Sequence, residues 1–227
     1  EEVFELFLNS YARTFDPHSS YFSPRNPEEY KIQMSLNYEG IGASLQLIDD
    51  YVTIMNLIEG GPAAVAGTLS VKDRITAVGQ GTSGPLTDVV GWRIDDVVQL
   101  IRGKGNTVVR LQILPVGAAP GSPEKTLQFT RGKVTLEAQA ARKVIKSVKR
   151  DGRDLKVAVI NVPGFYSDYD AARAGDENYR STTNDVRRLL AEARKENING
   201  LVLDLRANGG GFLPEAQSLT GLFIDQG

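Results

Sequence analysis

The 227 residues carry a net charge of −2 and an ordinary apolar share of 41%. That length allows one large or two small domains with a sizeable core, and that charge gives no footprint for nucleic acid or an anionic membrane surface. There is no cysteine and one histidine, His18, which excludes disulfides, thiolate metal sites, a cysteine nucleophile and the usual multi-histidine centres. No metal or cofactor is expected.

The chain opens without an initiator Met, already in a helical pattern, EEVFELFLNSYARTF. It is therefore expected to have been cut from something longer, and missing targeting signals say nothing of location. Phe4, Leu6, Phe7, Leu8, Tyr11 and Phe15 give a helical apolar stripe. DPHSSYFSPRNPEEY breaks it, and a second helix is predicted from Pro27, a favoured first-turn position. His18 reads as a residue of this turn before it reads as a catalytic base.

From about residue 38 the texture changes to short β segments. IGASLQLI and YVTIMNLI flank Asp49-Asp50 and predict a hairpin. GGPAAVAG predicts a turn into a short helix, VKDRITAVGQG a strand and turn, and NTVVRLQILPV a strand. Residues 91–102, GWRIDDVVQLIR, predict a helix with apolar residues at 94, 97, 98 and 101. Trp92 reads as a packing residue. GAAPGSPEK is a loop and TLQFTRGKVTLE a last strand. From about 132, LKVAVINV and GLVLDLR predict two buried strands joined by a helix, with Thr182 and Asp185 as its capping box. Strand, helix, strand implies a parallel βαβ unit. A further helix is predicted from Pro214 through Leu219, Leu222 and Phe223. The longest apolar runs, such as 201–205, are far too short to span a bilayer.

Two stretches suit chemistry. In DLRANGGGFLPEA, residues 204–216, a strand ends, glycines follow and a helix starts at a proline. Ligands bind at such strand ends in α/β sheets, and glycine N–H groups beside a helix start suit a developing negative charge. Taken alone, the glycines read first as a tight turn. No phosphate-loop motif is present. Asp204 needs a partner; Arg206 and the glycine loop are the two candidates. In GIGASLQ, residues 40–46, a glycine-flanked turn entering a strand offers N–H groups to a carboxylate, and the strand edge offers a ladder to an extended peptide. Ile41, Gly42 and Ala43 are the carboxylate-loop candidates. Leu45, Ile94, Val98 and Ile101 are spaced to line the groove, with Val97 and Leu100 facing the core. Each of these helix residues, taken singly, also reads as core. The charges at Arg187, Arg188, Glu192, Arg194, Lys195 and Glu196 read as a solvated helix face.

SYARTFDPHSSYFSPRN, EGIGASLQ, GGPAAVAG, VKDRITAVGQ, GWRIDDVVQLI, VPGFY and DLRANGGG arrive in order. Together they resemble the tail-specific proteases, also called C-terminal processing peptidases, and most of all those of the Gram-negative periplasm. The resemblance implies a mixed α+β and α/β fold, with a PDZ domain inserted in a protease core that holds the βαβ unit. Residues 1–37 would begin the core, 38–131 form the PDZ domain and 132–227 continue the core. It further implies a Ser–Lys dyad enzyme acting on proteins with apolar C-terminal tails, a periplasmic setting and a lipoprotein adaptor as partner. A non-catalytic PDZ scaffold is the alternative. Gly210 and Gly211 become candidates for the oxyanion hole. The family's serine and lysine motifs do not occur in these residues, which are therefore expected not to hydrolyse peptide bonds alone. Ala43 stands where many PDZ domains have Phe, and Lys72 where Gly is common.

Overall fold

The computed structural model describes residues 2–22, 26–119 and 121–225. The chain forms two compact units, Asn37–Leu136 and a second built from Glu1–Leu36 with Glu137–Gly227. The second unit opens with α1 (Glu2–Phe15) and α2 (Asn26–Ser35). The apolar stripe of α1 is real but stands in solvent, with Phe7 63% and Phe15 75% exposed. Asn9 anchors the segment after α1: its Nδ2 donates to Tyr21 O at 3.0 Å, and Tyr21 N donates to its Oδ1 at 2.9 Å. His18 N donates to Asp16 Oδ1 at 3.0 Å, so His18 belongs to the helix-ending turn.

The inserted unit contains β1 (Asn37–Gly40), β2 (Ala43–Ile48), β3 (Tyr51–Leu57), α3 (Pro62–Ala66), β4 (Arg74–Gln80) and β5 (Thr87–Asp88). It continues through α4 (Ile94–Ile101), β6 (Val108–Leu114), β7 (Lys125–Thr130) and β8 (Gly132–Thr135). One sheet runs in the order β2-β3-β4-β6-β7, with β5 on β4; β1 and β8 form a separate antiparallel pair. That pair explains why the unit reaches past residue 131: Tyr38 faces Val134 across it. The β2–β3 hairpin turns on Asp49 (φ 47°) and Asp50 (φ 62°), the two left-handed residues of a tight hairpin turn. Lys72 also sits at positive φ, 73°, which is why glycine suits that position. The core is closed around Val52, Ile54, Ile75, Val97, Val109 and Leu111, all fully buried.

The remaining elements are β9 (Arg142–Arg150), β10 (Arg153–Asn161), α5 (Tyr169–Arg173), α6 (Thr182–Lys195), β11 (Gly200–Asp204) and α7 (Leu213–Thr220). Strands order as β11-β10-β9; β10 and β11 are parallel with α6 between them in sequence. Strand β9, which pairs antiparallel with β10, has no counterpart among the elements predicted from sequence. The face bearing Ala158 and Ile160 is buried, with Val186, Leu189 and Ala193 of α6 also buried. The opposite face is open, and Val202 is 48% exposed. The expected burial of 201–205 is thus corrected: β11 is an edge strand in a sheet covered on one face. Three helix boundaries also differ: α4, predicted over 91–102, begins at Ile94, after Arg93 in extended backbone. Ser181, not Thr182, caps α6, accepting from Asn184 N at 3.2 Å while still in extended backbone. Thr182 instead accepts from Tyr166 N at 2.8 Å. Helix α7 ends at Thr220, leaving Leu222 and Phe223 in a turn. Trp92, expected to pack, is 40% exposed.

Candidate functional site

Strand β2 is an edge of its sheet, so its outer N–H and C=O groups are available to another extended chain. At its entry Gly42 adopts φ 78°. A Cβ added there would lie 3.0 Å from Gly61 Cα, so backbone approaches backbone and only glycine fits. The carbonyls of this loop are engaged: Gly42 O accepts from Ile58 N and Ile41 O from Ala63 N, each at 2.8 Å. Peptide planes fixed in this way present their N–H groups outward. The loop also has a cation beside it. Arg102, the C-cap of α4, lies over the Tyr38 ring at 5.1 Å, and its Cγ would be 3.8 Å from a Cβ on Gly40. Glu39, the neighbouring acid, is turned away to accept from Gly105 N at 2.8 Å.

Helix α4 packs against β2. Leu45, Ile94 and Val98 are half-buried, as residues lining an open groove are. Ile101 is corrected: it is 4% exposed and part of the core with Val97. These two lie four residues apart on one stripe, and that stripe is the one pressed on the sheet. Leu100 is only partly buried against the same core. The end of α4 is held by Arg131, 3% exposed, whose Nε donates to Ile101 O at 2.8 Å and Nη2 to Leu100 O at 2.9 Å. Burial lowers the pKa of this guanidinium from its ordinary value. Nothing in the local sequence marked Arg131 as a cap, because its partners lie thirty residues away.

In the other unit the glycine loop joins β11 to α7. Asp204 is clamped by Arg206, through Nε at 2.9 Å and Nη2 at 2.7 Å. These bonds and the Arg206 N–H hold its pKa down at about 2. Of the two candidates for its partner, Arg206 is the one observed. Gly210 and Gly211 have φ of 95° and 136°. Phe165 N donates to Gly210 O at 2.8 Å and Phe165 O accepts from Phe212 N at 2.7 Å. Gly211 is thereby bridged to Phe165, and its own N–H and C=O point away from that strand. A Cβ on Gly211 would lie 2.3 Å from Phe165 O. Gly210 differs: its N–H donates to Asn208 Oδ1 at 2.8 Å. Gly209 N–H donates to Pro163 O at 3.3 Å. Among the described residues, Gly211 is therefore the one of the three glycines whose N–H is not turned onto a neighbouring acceptor of the loop or of 163–165. Asn208 and Phe165 organise the loop; the glycines of 209–211 signalled a turn but not this contact.

Buried polar pairs fix the helices around the loop. Glu215 of α7, 5% exposed, accepts from Thr183 N at 2.9 Å and from Thr183 Oγ1 at 2.7 Å. Tyr166 donates its hydroxyl to Asp185 at 2.6 Å and accepts from Ala141 N at 2.9 Å. Burial raises its pKa above the ordinary value, and the Asp185 bond raises it further. Arg180 lies 2.9 Å from Asp185 and forks onto Glu137, which holds the Glu137 carboxyl below its usual value. Among the described residues no group of three or more His, Asp or Glu is arranged to hold a metal ion.

Residues 29–114 match the PDZ domain model, residues 156–227 that of peptidase family S41, and residues 1–25 that of the tail specific protease N-terminal domain. The chain thus joins a PDZ domain to part of an S41 peptidase domain. It is 40% identical over 227 residues to the tail-specific protease of Haemophilus influenzae, covering all of this chain and 30% of that protein. It is 31% identical over 211 residues to a probable CtpA-like serine protease of Staphylococcus haemolyticus, covering 93% of this chain and 36% of that one. A PDZ domain of a carboxy-terminal protease from Vibrio cholerae, solved with a peptide, is 46% identical over 44% of this chain and 100% of its own, with a TM-score of 0.42. The chain belongs to the tail-specific protease family. It spans about a third of the length of these curated relatives, 30% and 36%.

Proposed function

We propose that the whole protein is a serine endopeptidase of family S41 and that the β2–α4 groove grips apolar C-terminal tails of its substrates. The observation that carries this reading is the combination of an edge strand with a carbonyl-anchored glycine loop at its entry. A tail's carboxylate would accept from the backbone around Ile41, Gly42 and Ala43, with Arg102 beside it. The tail would add to β2 as an antiparallel strand, its last side chains among Leu45, Ile94 and Val98. The N–H of Gly211 would serve as one donor to the oxyanion formed when a serine attacks the scissile carbonyl. The periplasmic setting and the lipoprotein adaptor rest on the family resemblance. Among the described residues no helix is long and apolar enough to cross a membrane.

Titrating the chain with one short apolar peptide as free acid and as amide tests the groove. Charge-assisted hydrogen bonds contribute about 1.5–3 kcal/mol each, so the amide should bind roughly ten- to a hundredfold more weakly. Equal affinities would count against the carboxylate loop. Incubating the whole protein with an unfolded protein that ends in such a tail separates enzyme from scaffold: persistent binding without cleavage would favour the scaffold.

A further inference from the structure

Strand β2 continues past Leu45 to Ile48. Leu47 faces Val52 across the hairpin as Leu45 faces Ile54, so both leucines lie on the core face of the strand. Yet Leu47 is 43% exposed. Trp92, 40% exposed, stands two residues ahead of α4. Gly91 N donates to Asp50 O at 2.8 Å, which ties the segment bearing Trp92 to the β2–β3 turn. Leu47 and Trp92 are thereby held at the end of the groove opposite the loop at 40–43. Val90 beside them is 38% exposed. Val65, Val71 and Val116 of this unit are also exposed, but Leu47, Trp92 and Val90 are brought together at one end of the groove, and open apolar side chains gathered there suit a surface that receives something.

We propose that this end of the groove is a second apolar subsite for the tail, one that takes an aliphatic or aromatic side chain about four residues upstream of the terminal residue. The proposal rests on the reading of the groove as a tail-binding site. Continuity of the same edge strand selects the occupant. A tail with its carboxylate at 40–43 must run antiparallel along β2. Leu47 lies four residues beyond Ala43, so a residue about that far upstream comes abreast of it. Its side chain falls on the same face as the last one, because faces alternate with a period of two. Trp92 supplies a broad, rigid apolar wall at little cost in side-chain freedom. The tail is then read twice, at its carboxyl end and again upstream. Only tails that stay extended over that whole length satisfy both positions.

Trp92 is the only tryptophan among the 227 residues, so its emission reports on this subsite directly. The probes are three tryptophan-free peptides with the same last three residues. One has four residues; two have eight, with leucine or serine about four residues before the terminus. The leucine peptide should shift Trp92 emission to shorter wavelength and bind about tenfold more tightly than the other two. Trp92→Ala, and separately Leu47→Ser, should each bring the leucine peptide down to the affinity of the serine peptide. Equal affinities for all three with unmoved emission would overturn the subsite and leave the groove standing. A leucine advantage that survives both substitutions would also overturn it. If none of the three binds, the tail-groove reading fails and the subsite with it.

Discussion

The loop at 40–43 and the loop at 209–211 both present backbone N–H groups through glycines at positive φ, but they exclude a side chain by different neighbours. At Gly42 an added Cβ would meet Gly61 Cα at 3.0 Å. That neighbour is itself a glycine without a side chain, at the start of a five-residue helix, Pro62–Ala66, so a shift of a few tenths of an ångström would relieve the crowding. At Gly211 the Cβ would meet Phe165 O at 2.3 Å. Phe165 cannot retreat cheaply, since its N–H and its carbonyl are both bonded to residues flanking Gly211. A loop that receives a flexible peptide can yield slightly at its base; a loop proposed to meet an oxyanion needs donors fixed beforehand.

Gly211→Ala sharpens that contrast most. The substitution forces either Phe165 or the loop to move, and should cost about 2–4 kcal/mol in the stability of the unit that contains it. In the whole protein it should also depress the turnover rate strongly, while tail affinity stays within about twofold because the groove lies in the other unit. Gly210→Ala is the internal control: a Cβ there meets nothing within 4 Å, so only the positive φ is penalised, by about 1–2 kcal/mol. Hydrogen exchange across 200–220 gives the stabilities, and steady-state kinetics the rates. Equal, small effects of both substitutions would break the comparison.

Gly42→Ala comes next, at about 1–3 kcal/mol, because Gly61 can share the adjustment. Its sharper readout is binding. Tilting the peptide planes at 41–43 should bring the affinity for a free-acid peptide down toward that for its amide, with the amide little changed. If acid and amide lose affinity equally, the loop is a structural turn and the carboxylate is held elsewhere.

Much of this arrangement was legible as pattern. GIGASLQ before a strand, Asp49-Asp50 between alternating segments and the strand-glycine-helix order at 204–216 each specify a local geometry through φ and period. What was not legible depended on contacts remote in sequence. Ile94, Val98 and Ile101 share spacing with Val97, so only the sheet decides that Val97 and Ile101 turn inward. Gly210 and Gly211 are the same residue; Asn208 and Phe165 make one engaged and the other open. Strand β9 was missed because RKVIKSVKR reads as polar on a charged, half-covered sheet. A hairpin signal does stand in the sequence at Asp151-Gly152, outside the elements predicted above, and the structure places the two residues at φ 51° and 75°.

The smallest expected effect separates the loops by pH. The glycine loop is anchored at its strand end by an ion pair, Asp204 with Arg206, and the Asp204 pKa is lowered to about 2. A carboxyl whose folded pKa lies below its unfolded value of about 3.9 stabilises the fold fully above that value. The contribution fades as pH falls from about 4 and is gone below about 2. Arg206 is 90% exposed, so solvent and salt screen the pair and the change should be slight. Asp204→Asn removes the charge at every pH. The variant should be slightly less stable than the parent at neutral pH, and the two should converge as pH approaches 2. Raising ionic strength at neutral pH should narrow the same gap. Chemical denaturation at several pH values and two salt concentrations measures it. A gap that persists unchanged at pH 2 would mean that Asp204 holds the loop by its hydrogen bonds and shape, and that charge has little part in it.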